Sequence, residues 1–105
     1  MKVSVKGKEI RLEIADSFLK RLKGFMFTHD INYCLRFKTN SIHTFFMKEN
    51  IDVLMTDKDN KILYIFKNVR KNRIIIKRKV YYTYEFPSNF LDDLQVNDTL
   101  RIIKE

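Results

Sequence analysis

Apolar and polar residues alternate with period two along most of this chain. Val3 and Val5 alternate with Lys2, Ser4 and Lys6; after Gly7-Lys8, Ile10, Leu12 and Ile14 alternate with Glu9, Arg11 and Glu13. Successive side chains of a strand point to opposite faces, so both runs read as strands with one wet face, joined in a hairpin at Gly7. The period changes near residue 16. Asp16-Ser17 suits a helix cap, Phe18, Leu19 and Leu22 fall on one helical face, and Gly24 suits a C-terminal stop. The helix predicted at about residues 17–23 is only about two turns long and cannot persist alone. It is expected to pack on the sheet through Phe18 and Leu22, with Phe25 and Met26 continuing the apolar surface.

Residues 34–37 make a short strand candidate, and in the stretch Ser41-Ile42-His43-Thr44-Phe45-Phe46-Met47 the residues His43, Phe45 and Met47 share one side of an extended chain. Residues 51–56 are apolar on both sides apart from Asp52 and Thr56, the pattern of a central strand. Residues 57–60 form a turn by composition, and residues 62–66 resume a strand expected to be buried on both faces. The longest alternation runs over residues 73–86. It places Ile74, Ile76, Tyr82, Tyr84 and Phe86 inward and Arg73, Lys77, Lys79 and Glu85 outward. Arg78 interrupts the apolar side, which predicts a bulge or a carboxylate partner there. Pro87 ends the strand, Phe90, Leu91 and Leu94 suggest a second helical turn at about 88–94, and residues 100–103 form a last strand after a tight turn at Asn97-Asp98. Strands that do not alternate with helices predict an α+β, mainly β fold. The expected form is one domain over residues 1–105, a strongly curved, mostly antiparallel sheet or small barrel.

Composition narrows the function classes. Hydrophobic residues make up 45% of 105, enough for a core and too many for disorder. A single cysteine, Cys34, excludes an intramolecular disulfide and points to a reducing compartment, so a cytoplasmic location is expected. No apolar run is long enough for a membrane span. The net charge of +8 is concentrated between residues 67 and 79, which hold Lys67, Arg70, Lys71, Arg73, Lys77, Arg78 and Lys79 with no acid. Outside that window the charges nearly balance, so the chain carries a patch rather than a general excess.

Several side chains are candidates for chemistry. A carboxylate early in an apolar strand must be paired, and Arg21 is the expected bidentate partner of Asp52, clamping helix to sheet. The same two residues with His43 form the possible acid, base and anion anchor of a small enzyme. Met26, Cys34, His43 and Met47 are soft or borderline donors for copper(I), but no paired cysteines or His-rich tract support a metal. A Cys34–His43 nucleophilic pair has no orienting residue beside it. The basic segment, through Lys67, Arg70, Lys71, Arg73, Lys77 and Lys79, is the candidate anion-binding surface. With Tyr64, Phe66, Tyr81 and Tyr82 around it, it resembles single-strand nucleic-acid binders, which pair cations with stacking rings.

Four ordered motifs resemble one family. Ala15-Asp16-Ser17, Arg21 and Gly24-Phe25-Met26 match the A-x-[ST]…R-x-x-G-[LF]-M opening of the DUF 192 family, a small family of unknown function. Residues 41–47, then Ile51-Asp52-Val53 and Asp57, are similar to its central S-I-H-T-F-x-M and I-D-V signature. Glu85-Phe86-Pro87-Ser88-Asn89 resembles its E-L-P-A-G corner, and Asn97-Asp98 its final G-D turn. The resemblance implies a compact, mostly β fold and brings no catalytic activity with it. Asparagine stands at two family glycines, Asn89 and Asn97, and best tolerates positive φ after glycine, so both turns are expected to survive.

Together these observations predict a non-catalytic ligand-binding or protein-interaction module with its pocket near Arg21, Met26, His43, Met47 and Asp52. Neither cofactor nor metal is expected. The partner is a protein or a small anionic ligand, with nucleic acid or an anionic surface as the alternative through the basic segment.

Overall fold

A computed structural model describes residues 1–92 and 94–104. The elements in chain order are β1 (Lys2–Val5), β2 (Lys8–Ile14), α1 (Phe18–Lys23), β3 (Cys34–Phe37), β4 (Ser41–His43), β5 (Ile51–Thr56), β6 (Ile62–Val69), β7 (Ile74–Ile76), β8 (Tyr82–Pro87) and β9 (Arg101–Ile103). The β1–β2 hairpin forms as its pattern predicts. Lys6 and Gly7 both take positive φ, the backbone that a two-residue turn matched to strand twist requires. From β2 the chain passes through α1 to β3, which pairs with β2 in parallel, and a parallel pair needs such a crossover. Ser17 caps α1 by accepting the Lys20 N–H at 3.1 Å, and Gly24 closes it, its N–H donating to the Lys20 carbonyl at 2.9 Å.

The main sheet runs β6-β5-β8-β3-β2-β1-β9 and curls into a half-barrel; β4 and β7 form a separate two-stranded ribbon. Burial on both faces explains the unbroken apolar run of β5. Leu54 joins a cluster with Val3, Leu12, Cys34, Tyr84 and Phe86, whereas Val53 and Met55 join one with Phe25, Leu35, Phe37 and Met47 on the other face. Asn89 and Asn97 have φ of 69° and 78°, so both turns with asparagine for glycine do form.

Four local expectations change. The 73–86 alternation is two strands in two sheets: β7 pairs with β4, the chain turns away over 77–81 with Lys79 at φ 65°, and β8 enters the main sheet between β5 and β3. The interruption at Arg78 is therefore an exit from the sheet, and β8, unlike β7, has both faces covered after it. Ile74 and Ile76 lie exposed, Ile75 and Lys77 are half-buried, and Glu85 is buried. Secondly, Leu22 does not pack α1 onto the sheet, being 52% exposed; the Phe18 side chain lies outside the described residues. Thirdly, residues 63–66 are half-buried because β6 is an edge strand. Finally, the helical turn expected at about 88–94, of which residue 93 lies outside the described residues, shows tight-turn bonds, with Phe90 N–H donating to Pro87 O and Leu94 N–H to Leu91 O.

Candidate functional site

A cleft of about 550 Å³ opens between the end of α1, the segment 37–47 and β8. Its walls are mostly apolar, with Phe25, Phe37, Ile42, Phe45 and Met47 lining it. Each is held by local structure. Gly24 ends α1 and turns Phe25 into the core; a bridge between Met26 and Met47 ties that segment to the opposite wall. At the mouth stand exposed apolar side chains, Leu22, Phe45 and Ile74, together with exposed Arg21, Lys23 and Lys38.

Among the described residues, one carboxyl faces this cleft. Glu85 is 2% exposed, and among the described residues its Oε1 has no hydrogen-bond partner, a rare condition for a buried polar atom. It lies opposite Leu35 and Val53 in the sheet, on the apolar face that the cleft enters. Gly24 comes so close that a Cβ there would sit 3.1 Å from Oε1, so the glycine leaves room for the carboxyl. Burial drives the Glu85 pKa up to about 8, and the Phe25 backbone N–H offsets only part of that rise. At neutral pH Glu85 is therefore chiefly a neutral acid, able to donate a hydrogen bond as well as accept one.

Of the predicted pocket residues, Arg21, His43 and Met47 meet at this cleft, while Met26 and Asp52 do not line it. His43 is half-buried, accepts the Phe45 N–H on Nδ1 at 3.2 Å and stacks on the Phe45 ring at 5.3 Å. That bond leaves the proton of the neutral ring on Nε2. Asp52 is wholly buried, but its partner is not Arg21, which is exposed. Its Oδ1 accepts the Asn68 N–H at 2.8 Å and its Oδ2 the Leu91 N–H at 3.1 Å. Two backbone donors thus supply what arginine was expected to supply, and the set Arg21, His43 and Asp52 is not assembled. Cys34 packs in the cluster on the other face, where burial holds its thiol protonated, so it is no partner for His43. Among the described residues, no three His, Cys, Asp or Glu side chains come together as metal ligands would.

The basic segment is also rearranged. Lys77 turns its ammonium over Tyr64 and Phe66, 5.4 and 5.8 Å from the ring centroids, and Lys67 donates to the Asp92 carbonyl at 2.8 Å. Arg70, Lys71 and Arg73 line a second, polar hollow with Lys48, while Lys79 is exposed beyond β7. The expected stripe is therefore divided. Buried Thr44 organises its first part: Oγ1 donates to the Arg70 carbonyl at 2.7 Å and accepts the Arg73 N–H at 2.8 Å.

Glu85, Gly24 and Thr44 were not singled out as site or clamp residues from the sequence. Glu85 carried a usable signal, since a carboxylate inside the aromatic run Tyr82–Pro87 demands a partner by the reasoning applied to Asp52.

The DUF 192 sequence profile, described as uncharacterized ACR, matches residues 1–102. The chain belongs to the DUF 192 family. Its relatives include UPF0127 proteins of Thermococcus kodakarensis, 33% identical over 84% of this chain and 60% of that protein, and of Pyrococcus furiosus, 32% identical over 87% and 85%. The chain spans about 60% of the length of the Thermococcus relatives. The DUF 192 fold here is similar to that of a protein of unknown function from Novosphingobium aromaticivorans, solved at 1.22 Å. The TM-score is 0.82 at 14% identity, over 96% of this chain and 82% of the other. It is also similar to a candidate transcription regulator of Sinorhizobium meliloti, with TM-score 0.80 at 16% identity over 95% and 89%. Among the described residues no helix is long and apolar enough to cross a membrane.

Proposed function

We propose that this DUF 192 chain is a one-domain, non-catalytic module that seats a small molecule in the cleft between α1, segment 37–47 and β8. The observation that carries this reading is Glu85, a buried carboxyl with an unpartnered oxygen at an apolar cleft. Ligand sites are typically concave and apolar, of ~300–1,000 Å³, with a few convergent polar groups that orient the guest. A guest that bonds to Oε1 relieves the desolvation cost of that atom, which the protein alone leaves unmet. The unpaired cysteine supports a reducing, cytoplasmic setting for the module.

The test is titration with the neutral dye Nile red, followed by fluorescence, on the wild type and on Ser41→Trp. Ser41 is half-buried at the cleft wall, so an indole there fills the space. Saturable binding that Ser41→Trp abolishes, at an unchanged melting temperature, is the expected result. Equal binding by both proteins removes the cleft from consideration.

A second reading rests on the hollow of Arg70, Lys71, Arg73 and Lys48. None of these four joins an ion pair among the described residues, and Glu49 beside them is committed to the Asp30 and Ile31 N–H groups. Four basic side chains beside one carboxylate leave an excess of positive charge, which attracts phosphate-bearing partners such as nucleic acid. Gel shifts at low salt check it, and removing Arg70 and Arg73 should flatten the salt dependence by about one unit of slope per lost contact. No shift at low salt eliminates it.

A further inference from the structure

We infer that the ligand of the cleft is a free amphipathic monoanion, with its apolar body inside the cleft and its acid group held at the mouth by Arg21 and Lys23. This deepens the binding reading above and rests on it. Three observations support it.

The first is charge. The lining contains three basic side chains, Arg21, Lys23 and Lys38, and among the described residues none is joined to a carboxylate by an ion pair. Lys38 lies over the Tyr81 ring at 4.9 Å, which leaves Arg21 and Lys23 to meet a guest. Of the lining residues only Glu85 is acidic, and it is a neutral acid near neutral pH, so it does not cancel them. A cleft with low-dielectric walls concentrates the field of such cations at its opening.

The second is the division of polarity along the cleft. The cations are exposed at the mouth, whereas Phe25, Phe37 and Met47 are buried below them. A charge drawn into that depth would lose its hydration without a counter-ion, so the anionic end belongs outside and the apolar end inside. The third is Glu85 itself. Its unpartnered Oε1 offers one hydrogen bond at depth to an uncharged group of the guest, such as a carbonyl or hydroxyl.

A matched ten-carbon series tests the inference: decanoate, decanol and decyltrimethylammonium, each below its aggregation threshold, displacing bound Nile red at pH 7 and low salt. Decanoate should displace the dye about tenfold more tightly than decanol, and the cation should be weakest. The double substitution Arg21→Gln with Lys23→Gln, at two exposed sites, should bring decanoate to within about threefold of decanol while leaving decanol unchanged. Equal affinity for decanoate and decanol, or a preference that survives the double substitution, overturns the monoanion. Absence of Nile red binding defeats the underlying cleft reading instead. Cosedimentation with phosphatidylglycerol vesicles, lost in the double variant while decanoate fails to displace dye, would transfer the site to a bilayer and overturn the assignment to a free molecule.

Discussion

Replacing Glu85 with glutamine isolates the buried carboxyl from every other feature of the fold. The perturbation is nearly isosteric, and it removes one titrating proton. In the folded chain burial raises the Glu85 pKa from 4.5 to about 8, whereas the unfolded chain restores the ordinary value. Below the unfolded value both states hold the proton. Between the two values the unfolded state releases it and the folded state keeps it, so stability falls as pH rises and levels off above the folded value. The slope is about 1.4 kcal/mol per pH unit, or roughly 3 kcal/mol between pH 5 and pH 7. Urea unfolding of wild type and Glu85→Gln, at one-unit steps from about pH 5 to pH 8, measures this directly. Any fixed cost of the amide shifts all points equally. The variant should gain on the wild type by about 1.4 kcal/mol per unit between about pH 5 and pH 7, and by less as pH 8 is approached. A difference that stays flat with pH would show an ionised or well-solvated carboxyl, and both the apolar character of the cleft and the neutral hydrogen-bond donor would have to be abandoned.

Asp52→Ala leaves the Asn68 and Leu91 N–H groups without an acceptor and should cost about 3 kcal/mol in chemical denaturation; an unchanged midpoint would mean water reaches both amides. Thr44→Val keeps the shape but loses the Oγ1 bonds to the Arg70 carbonyl and Arg73 N–H, so about 1–3 kcal/mol should disappear, with faster amide exchange at Arg73 as the local signature. Gly24→Ala forces a side chain onto φ 49° and ψ −129° and sets a Cβ 3.1 Å from Glu85 Oε1; a loss of at least about 1 kcal/mol in thermal unfolding is expected, and a neutral result would show that the helix end relaxes freely.

Much of the fold could be read from the residues in order. The β1–β2 hairpin, the Ser17 cap, the Gly24 stop, the doubly buried β5 and the asparagine turns at 89 and 97 each rest on neighbours a few positions apart. Steric limits on φ, hydrogen bonds to a helix end and strand periodicity all act over that range, and the family motifs record the same local needs. The burial of Asp52 belongs in this group, since a carboxylate in an apolar run has few other fates.

Assembly decided the rest. Alternation tells which residues share a face but not which sheet receives the strand, and so residues 73–86 read as one ribbon when β7 and β8 belong to different sheets. Once the chain leaves β7, β8 lies between β5 and β3 with both faces covered, so Tyr84 and Phe86 stay inward and Glu85, on the face predicted to be wet, is buried at the cleft. Asp52 found backbone partners on segments 16 and 39 positions away, a pairing created when β6 and β8 dock on either side of β5. Short-range patterns determined that this chain would form strands, a brief helix and turns. The order in which strands meet, a matter of long-range packing, determined which carboxyl became the functional candidate.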